Sequence, residues 1–356
     1  MSISDFVYSA HAARVVFGAG SLQYLEREVL NLNAERVLIL CSPEQRAAGE
    51  ELASRLGSRA IAVFAHAAMH VPIELVSEAQ ELARAQRADC VITFGGGSAI
   101  GLGKAMAQKS DLPILAIPTT YAGSEMTPIY GITEGGVKRT GTDKRVLPKT
   151  VIYDPELTLT LPTQLSLTSG INAIAHAAEA LYAREANPVI SLLAEEGIAA
   201  LARALPKVTA QPDNIAARSD ALYGAWLCGI ALGSVGMALH HKLCHTLGGS
   251  FDLPHAATHT IVLPHALAYN ASAAPEAMKR IARAIRHDNA ATGLYDLARV
   301  NGAPVALKDI GMKDGDLDRA ARLACASPYW NPCEIEYAEV RALLQAAFDG
   351  TPPRRN

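Results

Sequence analysis

The sequence predicts an α/β N-terminal dinucleotide-binding domain with a Rossmann-like parallel sheet, followed by an all-α C-terminal domain. From residue 13 to about 155, short β-branched runs alternate with longer amphipathic stretches, as in a parallel sheet flanked by helices. Beyond Asp154, Ala-, Leu- and Glu-rich segments separated by prolines take over. The 356 residues also exceed the roughly 250–300 at which single cores stop growing. We therefore predict domains at residues 1–160 and 161–356, joined near Leu161-Pro162-Thr163.

The first domain is predicted to contain six strands and at least two helices. The strands are Val15-Val16-Phe17, Arg36 to Cys41, Ala60 to Phe64, Cys90 to Phe94, Pro113 to Ile117 and Val151-Ile152-Tyr153. Pro72 to Arg87 is predicted to be helical, because Leu75, Ala79, Leu82 and Ala83 fall on one face. Ala99 to Gln108 is the second helical stretch.

Helical segments of the second domain are predicted to be separated by Pro162, Pro188, Pro206, Pro254, Pro264 and Pro304. One segment, Ala221 to Leu239, has no charged residue over a length that could span a membrane. It contains four glycines and a histidine pair follows it. We therefore expect a buried central helix.

Composition argues against nucleic-acid and membrane partners and against export. The formal net charge is −3 and Lys and Arg are not clustered, which argues against nucleic acid or an anionic membrane as partner and leaves a small molecule. The six cysteines are scattered without a CxxC pair, as expected of free thiols in a reducing compartment. The N-terminus lacks the basic and apolar regions of a signal peptide. These features predict a cytoplasmic protein.

Two loops at the carboxyl ends of predicted strands indicate a dinucleotide site. Gly95-Gly96-Gly97-Ser98 joins a strand to a helix, which lets backbone N–H groups approach a pyrophosphate; a glycine-rich turn without a ligand is the alternative. The next strand leads into a hydroxyl-rich loop with Thr119, Thr120 and Ser124. Lys138 completes the predicted cofactor-binding set. Ser42 follows the second strand where an acid would exclude a 2′-phosphate, so we expect weak discrimination between NADH and NADPH.

Histidines are concentrated in the second domain. Six of the 11 lie between residues 240 and 265, and His176 lies in an earlier helical stretch. The spacing His241-x3-His245 puts two imidazoles on one helical face, and His255 follows after a glycine break. Such a cluster could hold a divalent metal, bind an anionic substrate or transfer protons. His240, His259 and His265 are interpreted as structural.

The segments Gly95 to Lys104, Pro118 to Glu125, Asn172 to Glu179 and His241 to His255 together resemble the iron-containing alcohol dehydrogenase family. In that family a metal is held by Asp-x3-His and by two histidines of His-x3-His-x9-His. The resemblance therefore implies that Asn172, His176, His241 and His255 form the corresponding site, with His245 near the nicotinamide. Because Asn172 stands where the family has Asp, we expect no obligatory metal. Gly101 also stands where the family's glycine loop usually has an acid.

In both departures the sequence resembles the branch of the family that reduces maleylacetate. Three strings carry the same resemblance: Gly-Gly-Gly-Ser-Ala-Ile-Gly-Leu, Pro-Thr-Thr-Tyr-Ala-Gly-Ser-Glu-Met-Thr-Pro and Leu-Cys-His-Thr-Leu-Gly-Gly. The resemblance implies a homodimeric enzyme that uses NADH or NADPH to reduce a carbon–carbon double bond of this dicarboxylate to give 3-oxoadipate, in aerobic degradation of aromatic compounds. Arg139, Lys144, Lys242 and the histidines are candidates to bind the two carboxylates. A metal-dependent alcohol or polyol dehydrogenase and a non-catalytic nicotinamide sensor remain as alternatives.

Overall fold

The computed structural model describes residues 6, 8, 10, 13–135 and 137–353. The described chain forms two compact units, one spanning Ala10–Leu161 and the other beginning at Pro162. The first is α/β and the second helical, so the predicted fold class is confirmed.

The first unit is built on a six-stranded parallel sheet. Its strands are β1 (Arg14–Phe17), β2 (Val37–Leu40), β3 (Ala60–Phe64), β4 (Cys90–Gly95), β5 (Ile114–Pro118) and β8 (Thr150–Tyr153), in the spatial order β1-β8-β5-β4-β2-β3. The six predicted strands are thus present. Chain order reverses direction between β4 and β2, and parallel sheets bind ligands beyond the carboxyl ends of the strands at such a switch point.

Both faces of this sheet are buried. Val37 and Ile39 of β2 contribute to the apolar cluster on one face, whereas Leu38 and Leu40 contribute to the cluster on the other, and each is 0% exposed. Because successive side chains of a strand alternate between faces, a strand covered on both sides must be apolar throughout. The helices of this unit are α1 (Leu25–Asn31), α2 (Arg46–Leu56), α3 (Ile73–Ala85) and α4 (Gly97–Ser110).

Two features of this unit differ from expectation. Ala79 and Ala83 of α3 are buried as predicted, but Leu75 and Leu82 are only half-buried and Val76 lies in the core. An antiparallel hairpin of β6 (Ile129–Glu134) and β7 (Val137–Thr142) also lies between β5 and β8. Its strands were not predicted, because both mix apolar residues with glycine, threonine and charged residues and show no regular alternation.

The second unit contains nine helices among the described residues. They are α5 (Thr163–Ala180), α6 (Pro188–Ala210), α7 (Ile215–Ser234), α8 (Leu239–Phe251), α9 (His255–Asn270), α10 (Pro275–Ala284), α11 (Ala290–Val300), α12 (Leu317–Cys325) and α13 (Tyr337–Asp349). Helices α6 and α7 approach closely at Gly197 and Gly224, where a Cβ on Gly224 would lie 2.9 Å from the Gly197 carbonyl oxygen.

The expected single helix over Ala221 to Leu239 is wrong. Helix α7 ends at Ser234 and α8 begins at Leu239, with Val235 extended between them. Pro206 and Pro264, predicted to separate helices, instead lie inside α6 and α9. Among the described residues no single helix is long and apolar enough to cross a membrane; α7 and α8 pass that test only as a pair, bent by 97°.

Candidate active site

Three loops of the first unit meet beyond the carboxyl ends of β2, β4 and β5. The side-chain amide of Gln45, after β2, donates to the Thr119 hydroxyl, after β5, at 3.0 Å. A Cβ on Gly95 would lie 2.5 Å from Gln45 Oε1, and one on Gly96 would lie 2.8 Å from Thr120 Cγ2. The two glycines therefore allow the loop after β4 to approach Gln45 and Thr120 more closely than a residue with a Cβ could. Thr120 Oγ1 is buried and has no hydrogen-bond partner among the described residues.

The glycine turn leads directly into α4. Gly95 has a φ of +141°, which favours glycine, and Gly96 is the N-cap. The helix begins at Gly97, earlier than predicted, so that Gly97 and Ser98 form its first turn. A Cβ on Gly97 would meet no described atom within 4 Å. Backbone N–H groups of a helical first turn and an open approach to them are what a pyrophosphate requires, so the turn fits the dinucleotide that the fold implies.

The end of β2 also carries a negative charge, next to Ser42. The hydroxyl of Ser42 donates a hydrogen bond to the exposed carboxylate of Glu44, which holds the pKa of that carboxyl below its usual range. An anion beside the adenosine ribose would repel a 2′-phosphate. Ser124 lies in the turn after β5. The backbone of Lys138 lies in β7, but its side chain falls outside what the structure describes, so its predicted role stays a prediction.

The histidine cluster is assembled from α5, α8 and α9. Asn172 and His176 lie one turn apart on α5, His241 lies in the first turn of α8, and all three are about 95% buried. His245 is one turn further along α8, with its ring centroid 6.1 Å from that of His241. His255 is the first residue of α9, and its ring lies 4.3 Å from that of His259. His245 and His255 are both exposed.

A fully buried carboxylate, Glu179, organises the cluster and was missed by the sequence analysis. It accepts hydrogen bonds at 2.8 Å from the backbone amides of Ala238 and His240 and at 2.7 Å from Nδ1 of His241. It thereby caps the N-terminus of α8, where the helix dipole favours a negative charge. Its position three residues after His176, on the same face of α5, was the available signal.

Glu179 begins a chain of hydrogen bonds that runs through two imidazoles to an amide. His241 Nε2 lies 2.8 Å from His176 Nδ1, and His176 Nε2 lies 3.3 Å from the side-chain nitrogen of Asn172. Because a carboxylate only accepts, His241 must carry a proton on Nδ1. When His241 is neutral, His176 donates through Nδ1 and accepts from Asn172. The buried Asn172 Oδ1 then has no partner among the described residues.

A second pair of imidazoles lies behind this chain. His240 Nε2 is 2.9 Å from His259 Nδ1, and both residues are 0% exposed. Burial, together with the neighbouring histidines, lowers the pKa of each well below its ordinary value. Burial also lowers the pKa of His265 to about 4. These three side chains are therefore neutral at pH 7, which agrees with their structural interpretation, although the His259 ring lies only 5.1 Å from that of His241.

The donor set does not fit the divalent metal that the fold family implies. Imidazole nitrogens at about 2.0–2.1 Å from a tetrahedral ion would lie roughly 3.3 Å apart, whereas His176 and His241 are hydrogen-bonded at 2.8 Å. Asn172 turns its amide nitrogen toward His176, and the Glu179 carboxylate contacts His241 on Nδ1. The His176–His241 pair thus lacks the spacing of two metal ligands, and Asn172 supplies no anionic ligand.

Among the described residues, donor atoms converge to within 4.8 Å in a different group, His240, Cys244 and His259. Its two imidazoles are already bonded to each other, and burial raises the pKa of the Cys244 thiol, which keeps it protonated. A thiol must lose its proton to bind a metal. This group is therefore better explained as packed core.

The candidate cations for substrate carboxylates belong to both units of the chain. Arg139 and Lys144 are exposed in the first unit. Lys242 is half-buried on α8, with its ammonium 5.7 Å from the centre of the Tyr329 ring.

Known proteins match this chain over nearly its whole length. Residues 12–155 match the family model for iron-containing alcohol dehydrogenase, and residues 166–348 match the model for the C-terminal part of the Fe-containing alcohol dehydrogenase family. Maleylacetate reductase of Burkholderia cepacia is 58% identical over 351 residues, 99% of this chain and 100% of the relative. The corresponding enzyme of Rhizobium sp. strain MTP-10005 is 54% identical, with coverage of 99% and 100%.

A solved structure agrees with these sequence relatives. The crystal structure of maleylacetate reductase from Agrobacterium tumefaciens superposes with a TM-score of 0.96 at 54% identity, covering 99% of this chain and 100% of that one. Both halves of the chain match their family models, and identity to full-length relatives exceeds 50%. The chain therefore belongs to the iron-containing alcohol dehydrogenase family.

Proposed function

We propose that this chain is an oxidoreductase that reduces the carbon–carbon double bond of maleylacetate to give 3-oxoadipate, with NADH or NADPH as the reductant. The observation that carries the proposal is the 58% identity, over the full length of both chains, to a maleylacetate reductase. The same resemblance supports a place in aerobic degradation of aromatic compounds and a cytoplasmic homodimer.

The residues proposed to bind the cofactor surround the switch point of the sheet. Gly95, Gly96, Gly97 and Ser98 would place backbone N–H groups against the pyrophosphate. Thr119, Thr120, Ser124 and Lys138 would line the neighbouring strand end, and Ser42 with Glu44 would face the adenosine ribose. When bound, the nicotinamide supplies a hydride. Residues 1–160 are in this proposal the dinucleotide-binding domain, and residues 161–356 carry the histidines.

The chemistry of maleylacetate supports a role for histidines without a metal. Its double bond is conjugated to a ketone, so addition of hydride to the carbon β to that ketone moves the π electrons onto the ketone oxygen as an enolate. An enolate is a weaker base than the alkoxide formed from a simple carbonyl. Preorganised hydrogen-bond donors can therefore stabilise it.

The chain from Glu179 to Asn172 is suited to that task. A proton added to the His241–His176 pair is stabilised by the carboxylate of Glu179, 2.7 Å from His241. His241 Nε2 would then donate to His176 Nδ1, and His176 Nε2 would carry an N–H, with the Asn172 amide turned so that its oxygen rather than its nitrogen lies beside that N–H. The pair would hold positive charge beside the enolate. His245 and His255, which are exposed, are proposed to donate to substrate or deliver the proton that the α-carbon takes up to complete the reduction.

We propose further that no metal is obligatory, since the spacing of His176 and His241 does not fit one. A metal-dependent alcohol or polyol dehydrogenase is the alternative, and it is not favoured by Asn172. The decisive experiment follows the loss of NADH absorbance on addition of maleylacetate. Turnover of NADH with formation of 3-oxoadipate supports the proposal; binding of NADH without oxidation, even in a single turnover, would instead indicate the non-catalytic sensor.

A further inference from the structure

A lysine ammonium is enclosed within the first unit, next to one of the proposed cofactor loops. Lys104 lies two turns into α4 and is 1% exposed. Its Nζ donates to the backbone carbonyls of Ser124, Thr127 and Ile129 and to the hydroxyl of Thr127. Three of these contacts measure 2.8–2.9 Å. The Ser124 hydroxyl lies at 3.4 Å, so the three N–H groups of the ammonium are surrounded by five acceptors.

This cage joins the two proposed cofactor loops. Helix α4 begins in the glycine turn after β4, whereas residues 124–129 follow the hydroxyl-rich loop after β5. Thr127 also donates from its hydroxyl to the Ser124 carbonyl at 3.1 Å, so that the turn is bonded to itself as well as to Lys104. Fixing the carbonyl of Ser124 fixes the end of the loop that begins at Thr119.

The loop is held from the opposite side by a second buried contact. The hydroxyl of Tyr153, on β8, donates to Glu125 Oε1 at 2.7 Å, and Glu125 is 1% exposed. Burial lowers the pKa of Lys104 to about 7, and the Glu125 carboxyl opposes that change. A buried charge costs free energy unless it is well paired. Five acceptors on residues 124–129 compensate for that cost.

We propose that Lys104 is a positioning residue that holds the loop after β5 at a fixed distance from the glycine turn, so that both loops can bind one dinucleotide. The proposal rests on the proposed function only in assigning these loops to the cofactor. Lys104 contacts neither the cofactor nor the substrate in this scheme. Its effect is to remove the cost of ordering the loop when the ligand binds.

The test compares Lys104→Met with Lys109→Met, a matched substitution at an exposed position of the same helix. NADH titration and steady-state kinetics are measured on folded protein. Lys104→Met should raise both the Kd and the KM for NADH by about tenfold, with kcat at saturating NADH changed less than about threefold. Lys109→Met should match the unsubstituted protein in all three quantities.

Thr127 provides a second pair of variants that does not disturb the helix. Thr127→Val removes one acceptor of Lys104 and should raise the Kd for NADH several-fold. Thr127→Ser retains the hydroxyl, so its Kd for NADH should equal that of the unsubstituted protein. If Lys104→Met does not fold, this pair decides the question. Unchanged NADH affinity in folded Lys104→Met, or in Thr127→Val, would overturn the positioning role. Failure of the unsubstituted protein to bind NADH would instead overturn the proposed function.

Discussion

At the scale of single residues, Glu179 links structure to proposed chemistry, because one carboxylate both caps α8 and fixes the tautomer of His241. We expect Glu179→Gln to lower kcat by about 10- to 100-fold, the usual effect of losing a carboxylate behind a functional imidazole. The amide would no longer stabilise an added proton on the His241–His176 pair. Steady-state kinetics with maleylacetate and NADH measure the effect.

Glu185→Gln is the control for that experiment. Glu185 is exposed and also accepts from a backbone amide of the segment before α8, that of Gly236, at 3.1 Å. Its substitution should leave kcat unchanged. Equal losses in the two variants would show that Glu179 acts only by holding this segment in place.

Glu44 carries the prediction on cofactor choice. Its carboxylate accepts from Ser42 at the end of β2 and stays ionised at pH 7. Glu44→Gln should raise kcat/KM for NADPH by about tenfold, about 1.4 kcal/mol, with little change for NADH, because it removes repulsion of the 2′-phosphate. Paired assays with both cofactors measure this ratio. Parallel changes for NADH and NADPH would place Glu44 away from the ribose.

These two acids also show where sequence reasoning stops at this scale. Strand ends, the glycine turn and the histidines could be located from local pattern, since each has a period or a residue type of its own. Glu179 sits in an alanine-rich helical stretch and acquires its role only when α8 packs against α5. Glu44 likewise acquires its hydrogen bond to Ser42 only through the turn that follows β2.

At the scale of elements, the start of α4 offers a test that separates folding from ligand binding. A Cβ on Gly97 would meet no described atom within 4 Å. Gly97→Ala should therefore keep the melting temperature within a few degrees while weakening NADH binding by about tenfold or more, because the methyl group would lie where the backbone must approach a pyrophosphate. Thermal unfolding and NADH titration measure the two effects.

Gly315→Ala, also without a described atom within 4 Å of the added Cβ, serves as the control and should change neither quantity. NADH affinity that survives Gly97→Ala would mean that the glycine turn does not contact the cofactor.

The contact between β1 and α1 gives a prediction for pH. Arg14 donates to the buried carboxylate of Glu28 at 2.6 and 3.1 Å, and this contact holds the pKa of Glu28 below its usual range. A lowered pKa in the folded state stabilises the protein above the unfolded-state value, about 4.3, and this stabilisation is lost as the pH falls through the folded-state value. Glu28→Gln should thus reduce the urea midpoint at pH 7, and this reduction should shrink as the pH falls below the unfolded-state value.

Glu26→Gln, at an exposed position of the same helix, should change the midpoint little at either pH. If Glu28→Gln lowered the urea midpoint as much at pH 3 as at pH 7, the carboxylate charge would not be the source of the stabilisation.

At this scale the sequence predicted the parallel strands but not the hairpin or the break after α7. The hairpin strands mix apolar residues with glycine, threonine and charged residues, and β6 is only partly buried. The break is set by distant acceptors: Gly236 and Ala238 donate to Glu185 and Glu179. Hydropathy along the chain contains no information on such contacts. The uncharged stretch from Ala221 to Leu239 therefore predicts one helix where the structure has two.

At the scale of the whole molecule, the change from alternating strands to helices marks the division of the chain, because a parallel sheet and a helical bundle require different sequence periods. The structure divides the chain after Leu161. The homodimer and the cytoplasmic location remain predictions, since neither follows from contacts within one chain. The requirement for a metal is the property that most sharply separates the proposed enzyme from metal-dependent dehydrogenases of the same family.

We expect reduction of maleylacetate to survive exhaustive chelation. Asn172 supplies no carboxylate, and His176 and His241 are bonded at 2.8 Å, closer than two ligands of one tetrahedral ion. The rate of NADH oxidation should change less than about twofold after dialysis against a strong chelator, and added Zn²⁺ or Fe²⁺ should not increase it. Asn172→Asp supplies the missing anionic ligand, and metal bound by this variant but not by the unsubstituted protein, measured by elemental analysis, would locate the difference. Loss of activity on chelation with recovery on metal addition would contradict the proposal and favour a metal-dependent dehydrogenase.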